Sequence, residues 1–179
     1  MTLEKGINVT EPNFNLSQDL LNELFEYRDG NLFWKVNRGS VKKGQIAGTF
    51  ANSGYLQICL YRRFYLTHRL IFLMHKGYLP SELDHIDGNK LNNCIENLRE
   101  TTKSQNQLNK GLMKNNVSGV KNVHWCKNSN KWRVLISVNG KQKDFGRFKD
   151  LEVAKETAIT LRKQHHGDFA NHGLKQVFL

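Results

Sequence analysis

Apolar positions along this chain alternate between a spacing of three to four residues and a spacing of two, and the changes of period mark out helices and strands. Leu20, Leu21, Leu24 and Phe25 share one helical face behind Ser17, whose hydroxyl suits a helix cap, and Asp29-Gly30 supplies the stop. Alternation then predicts a strand over 32–36, a basic, glycine-punctuated loop over 39–48, and a hairpin of 55–61 and 64–67 turning at Arg62-Arg63. Leu70, Ile71, Leu73 and Met74 restore helical spacing over 68–76, with Gly77 as the stop and Pro80 just beyond.

The next stretch, LDHIDGNKLNNCIENLRETTKSQNQLNK, is rich in asparagine yet keeps regularly placed apolar residues. It reads as a strand over 83–86, a loop over 87–93, a strand or extended turn over 95–99, and a helix over 103–109. Thr102 and Gln105 have the spacing of a capping box at the start of that helix. Residues 110–116 are polar and short, which suits a linker. Three strand-like runs follow at 119–125, 131–138 and 142–148. Leu151, Ala154, Ala158 and Leu161 then mark a closing helix over 151–166 that would lie across the sheet. The expected fold is α+β, with residues 1–14 and 174–179 as tails.

Charge adds a partner to this picture. The chain of 179 residues carries 27 Lys plus Arg against 16 Asp plus Glu, a formal +11, which favours a polyanion. Residues 1–83, 84–116 and 117–179 carry +3, +1 and +7, so the basic excess sits in the last third. No apolar run approaches the roughly 20 residues that cross a bilayer, and the first eleven residues lack a signal-peptide core; a cytoplasmic protein is expected. Cys59, Cys94 and Cys126 are odd in number and far apart, which supports neither a disulfide framework nor a four-cysteine zinc site.

The pair Asp84-His85, followed by Asn97 and Asn106, resembles the motif of HNH (His-Asn-His) nucleases, in the variant whose last histidine is asparagine, as in phage and intron-encoded homing endonucleases. The words DHIDGN, NN, ENLR and NQLN between residues 83 and 109 carry the likeness. It implies a ββα-metal core over 83–109 within a nuclease domain over 15–109. The words GNLFWK and THRL are similar to the region that precedes that core in phage nucleases. Phosphodiester hydrolysis needs a base for the attacking water and positive charge for the pentavalent phosphate and the departing oxygen. Free imidazole titrates at about 6.5 and so accepts protons at cellular pH, which makes His85 the candidate base. Asp84 and Asn106 offer hard oxygen ligands suited to one Mg²⁺ or Mn²⁺ ion rather than zinc. Strand alternation sends Asp84 and His85 to opposite faces, so a local bend is required; the family places such a pair at a strand end. By resemblance, Asn97 holds the loop and helps orient His85, and the products carry 5′-phosphate and 3′-hydroxyl ends. Asn109 shares a helical face with Asn106, and only the family pattern prefers Asn106 as ligand.

The run from Val117 to Asn171, with Ser118-Gly119-Val120, Lys131-Trp132-Arg133, Phe145-Gly146-Arg147-Phe148 and Glu152-Val153-Ala154, resembles the APETALA-type DNA-binding domain of ethylene-response factors. That likeness implies a three-stranded sheet packed on one helix over 117–173, bound to double-stranded DNA. The candidate contacts are Lys121, His124, Lys127, Lys131, Arg133, Lys141, Lys143 and Arg147, with Arg62 and Arg63, and also Lys42, Lys43 and Arg69, as a second clamp on the backbone. Arg133 and Arg147 are the best suited to guanine, because the guanidinium fork is bidentate. Trp125 and Trp132 suit either core or DNA. His68 reads as a packing or phosphate-contact residue, and His75, His165, His166 and His172 as non-catalytic. The combined expectation is a monomeric, site-specific, metal-dependent homing-type endonuclease. The rivals are a less specific phage restriction or packaging nuclease and a DNA-binding regulator whose HNH unit is inert.

Overall fold

The computed structural model of the chain describes residues 16–112 and 115–173, so the expected tails and part of the expected linker lie outside it. The fold is α+β and divides into two units, one ending at Arg99 and the other beginning at Glu100. The expected boundary lay at 110–116; the division instead leaves the helix that follows Thr102 with the second unit.

In the first unit Ser17 caps α1 (Gln18–Leu24) by accepting from the Leu20 amide at 3.2 Å. The helix ends one residue short of Phe25, which opens β1 (Phe25–Arg28) and pairs with Trp34 of β2 (Asn31–Trp34), their ring centroids 4.6 Å apart. Phe25 stays buried in either conformation, so its place in the apolar period could not separate helix from strand. Asp29 and Gly30, both at positive φ, make the tight turn between these strands. A second antiparallel sheet, β3 (Thr49–Phe50), β4 (Leu56–Leu60) and β5 (Arg63–Leu66), turns on Tyr61 and Arg62. That is one residue earlier than the sequence suggests, because Leu60 pairs with Arg63.

Helix α2 (Thr67–Lys76) lays Leu70 and Ile71 into one core with Leu21, Phe25, Leu32, Ile58 and Leu60, and Gly77 ends it in the left-handed conformation. The same core takes Leu83 of β6 (Glu82–His85) and Leu98 of β7 (Leu98–Thr101), which form a two-stranded sheet. Burial of these leucines anchors the strand that carries Asp84 and His85. The expected strand or extended turn over 95–99 begins as a single 3-10 turn, Ile95–Asn97.

In the second unit Thr102 and Gln105 form the expected capping box on α3 (Lys103–Leu108). Strands β8 (Val123–Cys126), β9 (Lys131–Val138) and β10 (Lys141–Phe148) form an antiparallel sheet in the order β10-β9-β8. Helix α4 (Leu151–His166), capped by Asp150, covers one face; its Ala154 and Ala158 allow close approach to Val123, Val134 and Ile136. No helix among the described residues is long and apolar enough to cross a membrane.

Candidate active site

Strand β6 is covered on both sides: Leu83, Asp84 and His85 are all buried. Burial of a carboxylate and an imidazole demands partners. Asp84 Oδ2 accepts from Arg99 of the paired strand, at 3.1 Å from Nη2 and 3.4 Å from Nε. His85 Nε2 stands 3.0 Å from Oδ1 of Asn93, itself only 2% exposed. An amide oxygen only accepts, so His85 donates from Nε2 and its Nδ1 carries the basic lone pair.

The His85 ring is walled by two aromatic neighbours. The His68 ring lies edge-on at 4.9 Å and the Tyr55 ring at 6.0 Å. Burial, helped by the Arg69 charge and by the repulsion that a protonated His85 would exert, drives the His68 pKa down to about 3, so this imidazole is neutral and adds no charge beside His85. Burial also raises the Tyr55 phenol, with the Asp84 charge acting in the same direction. Lys90 lies over the Tyr55 ring, its Nζ 4.5 Å from the ring centre.

The loop after His85 closes on Asp87. Its carboxylate accepts from the Asn89 amide at 2.7 Å, from Asn92 Nδ2 at 2.7 Å and from Asn97 Nδ2 at 3.0 Å. Asn97 Nδ2 also donates to the Asn92 carbonyl, its Oδ1 accepts from the Asp87 amide, and its carbonyl accepts from the Ile86 amide. Asn97 thus ties both ends of the loop to the strand end that carries His85. The turn of the first hairpin presses on the same loop. A Cβ on Gly30 would lie 2.8 Å from the Cys94 nitrogen and 3.0 Å from the Asn93 carbonyl carbon, and Tyr27 Oη accepts from the Ile95 amide at 3.1 Å. Asn93 is therefore fixed from behind by a glycine that no larger residue could replace without a shift.

Asn106 sits half-buried on α3. Asn109, the rival ligand, is buried, and its carbonyl and Oδ1 lie 2.8 and 3.3 Å from Asn171 Nδ2. Among the described residues no three of His, Cys, Asp and Glu converge in a cluster able to hold a metal, so an ion here would depend on one carboxylate, amide oxygens and water.

The basic candidates divide. Register aligns His124, Arg133 and Arg147 in one row across the sheet, on the face turned away from α4. Asp144 binds both arginines, 3.0 Å from Arg133 Nε and 3.4 Å from Arg147 Nη2; the Gly146 amide and these arginines lower its pKa. Lys131 pairs with Cys126 on that same face, and Lys127 is exposed in the following turn. Lys141 and Lys143 pair with Val138 and Ile136 instead, so they belong to the α4 side of the sheet and leave the arginine row. Trp125, Trp132 and Phe148 also align on the α4 side, with the two indoles 4.9 Å apart.

Lys121 departs most from its expected role. Its Nζ donates to the Leu108 carbonyl at 2.6 Å and to the Lys110 carbonyl, and burial with the Arg162 charge lowers its pKa to about 8. An ammonium turned inward onto backbone carbonyls is a structural tie, not a phosphate contact. Arg62 and Arg63 are exposed at the hairpin turn of the first unit, whereas Arg69 donates to the Pro80 carbonyl. His75, His166 and His172 are each bonded within the fold: to the Ile71 carbonyl, to the Ser137 carbonyl and to Arg162.

Asn93, Arg99 and Asp144 are functional candidates that sequence periodicity did not single out. Asn93 and Arg99 act through partners eight and fifteen residues away, which no local period reports. Asp144 had a readable signal: a lone acid between basic residues on a strand.

Comparison with known proteins completes the description. An HNH endonuclease family model matches residues 65–108. Over 95 residues the chain is 39% identical to Protein 3.8 of Escherichia phage T7, an alignment covering 53% of this chain and 75% of that protein. Over 106 residues it is 33% identical to an uncharacterized HNH endonuclease of Acanthamoeba polyphaga mimivirus, covering 58% of this chain and 54% of the relative. Among solved structures it is similar to the HNH homing endonuclease I-HmuI, from a study of DNA binding and cleavage. That match has 24% identity and a TM-score of 0.38, over 79% of this chain and 84% of that one.

Proposed function

The chain belongs to the HNH endonuclease family, and on that footing we propose that it is a site-specific, metal-dependent endonuclease of homing type acting on double-stranded DNA. The observation that carries this reading is the His85–Asn93 pair. A buried imidazole whose Nε2 proton is held by an amide oxygen keeps Nδ1 as a base, on the strand that also carries Asp84. Asp84 and Asn106 would hold one Mg²⁺ or Mn²⁺; a carboxylate and an amide are hard oxygen donors, and so small a set suits an ion that retains several waters. When bound, the ion stabilises charge on the phosphate and on the departing 3′ oxygen.

In the reaction His85 Nδ1 takes a proton from water as the water oxygen bonds to phosphorus. The bond from phosphorus to the 3′ oxygen breaks, leaving a 5′-phosphate and, after protonation, a 3′-hydroxyl. Asn93 preserves the reactive tautomer, and neutral His68 supplies a wall that neither competes for the proton nor repels the imidazolium as it forms. Residues 15–109 would form the nuclease domain and 117–173 an ethylene-response-factor-like DNA-binding domain. In the latter, Arg133 and Arg147, set by Asp144, would read bases, while His124, Lys127 and Lys131 would meet phosphates. Arg62 and Arg63 would add contacts from the first unit. The protein would act as a monomer in the cytoplasm of an infected host.

A second reading, a DNA-binding regulator with an inert nuclease unit, draws on Arg99, whose guanidinium already occupies one oxygen of Asp84. Incubation of the full chain with supercoiled plasmid, with Mg²⁺ or with EDTA, decides between them. Nicked or linear DNA that requires the metal and disappears in His85→Ala supports the nuclease; retained binding over intact plasmid supports the regulator. Cleavage without a preferred site would favour the less specific nuclease.

A further inference from the structure

Helix α3 has six residues, too few to hold its place through its own hydrogen bonds. Its C-terminal end is gripped from two places in the second unit, and a third residue holds those grips. Lys121, ahead of β8, donates from Nζ to the carbonyls of Leu108 and Lys110. Asn171, beyond α4, donates to the Asn109 carbonyl at 2.8 Å, and its own Oδ1 accepts from the Gly173 amide at 2.7 Å. Arg162 of α4, fully buried, donates from Nη1 to the Lys121 carbonyl and from Nε to His172 Nδ1. The packing is close: a Cβ on Gly173 would come within 2.9 Å of Leu112 Cγ. A cation on the last carbonyls of a helix also complements the helix dipole.

We propose that Lys121 and Asn171 are positioning residues for Asn106, the helix ligand of the function proposed above. The inference rests on the function proposed above. Asn106 lies two residues before Leu108 on the same helix, and ties on Leu108, Asn109 and Lys110 fix the height and rotation at which its amide is presented. Those ties are made within the unit whose outer face carries Arg133 and Arg147.

The test is Mn²⁺ titration by electron paramagnetic resonance on the full chain carrying His85→Ala, bound to duplex DNA of mixed sequence. Lys121→Met and Asn171→Ala are each expected to weaken Mn²⁺ binding about tenfold, the scale of one lost charged or buried hydrogen bond. Duplex affinity in EDTA should stay within about twofold, because neither side chain lies in the arginine row, and Lys121→Arg should retain most of the Mn²⁺ affinity. Unchanged Mn²⁺ binding in both variants overturns the proposal, as does a fall in DNA affinity with Mn²⁺ binding intact, which would make Lys121 a phosphate contact. If thermal melting shows Lys121→Met unfolded, Asn171→Ala decides alone. Failure of the parent to bind Mn²⁺ at all refutes the proposed function and is visible before any clamp variant is compared.

Discussion

Replacing Asn93 with alanine isolates the role of the His85 tautomer. The bond from His85 Nε2 to Asn93 Oδ1 is 3.0 Å long, and both residues are buried, so water cannot readily replace the lost acceptor. An unmet buried N–H costs about 1–3 kcal/mol. Part of that falls on stability, and part is avoided when the imidazole shifts its proton to Nδ1 or rotates away. Either escape silences the base. If half to all of the penalty is relieved in this way, the reactive form becomes scarcer by about two- to a hundredfold. The expected result in a plasmid-nicking assay is a fall in kcat of that size with KM little changed, since Asn93 touches no candidate DNA contact. Asn93→Asp keeps an acceptor for Nε2 and should restore much of the rate. Equal losses in both variants, or an alanine variant that is less stable yet turns over normally, would refute the tautomer argument.

Other outcomes follow from the same geometry. Gly30→Ala places a Cβ 2.8 Å from the Cys94 nitrogen at a φ of 79°, and should destabilise the first unit by about 1–3 kcal/mol in urea denaturation; a neutral result would show that the loop can yield. His68 sits at about 3 when folded against 6.5 when unfolded, so the unfolded state binds the extra proton between these values. Stability is therefore complete above pH 6.5 and falls as the pH drops towards 3, by about 3 kcal/mol at pH 4.5. His68→Phe should lose less between pH 7 and 4.5 by that amount, and equal losses would contradict the buried neutral imidazole. Asp144→Ala frees both Arg133 and Arg147 and should relax site preference more than total affinity when binding is compared on specific and random duplexes. A uniform loss of affinity would mean that Asp144 only maintains the sheet.

The helices were readable from a period, a cap or both: apolar spacing with Ser17 before α1 and with Gly77 after α2, Thr102 and Gln105 alone at α3, and Leu151, Ala154, Ala158 and Leu161 alone along α4. Phe25 was misplaced because a buried aromatic satisfies helix and strand alike, and its pairing with Trp34 is a contact nine residues away. The motif residues were legible as a spacing, but their supports were not. Asn93 looks like any loop asparagine, and only the fold reveals the amide beneath His85 and the glycine behind it. Lys121 counts the same as Lys127 in a charge sum, and the two differ solely in whether the ammonium meets solvent or the end of α3. Lys141 and Lys143 fell out of the arginine row through strand parity, which needed the register at Ile136 and Val138.

Anomalous diffraction from crystals of the full chain grown with DNA and Mn²⁺ probes the proposed centre most directly. A single manganese peak bonded to oxygens of both Asp84 and Asn106, with His85 Nδ1 facing the phosphate, is the expected result. A peak that leaves either oxygen out, or none while Arg99 still holds Asp84, would contradict the proposed metal site.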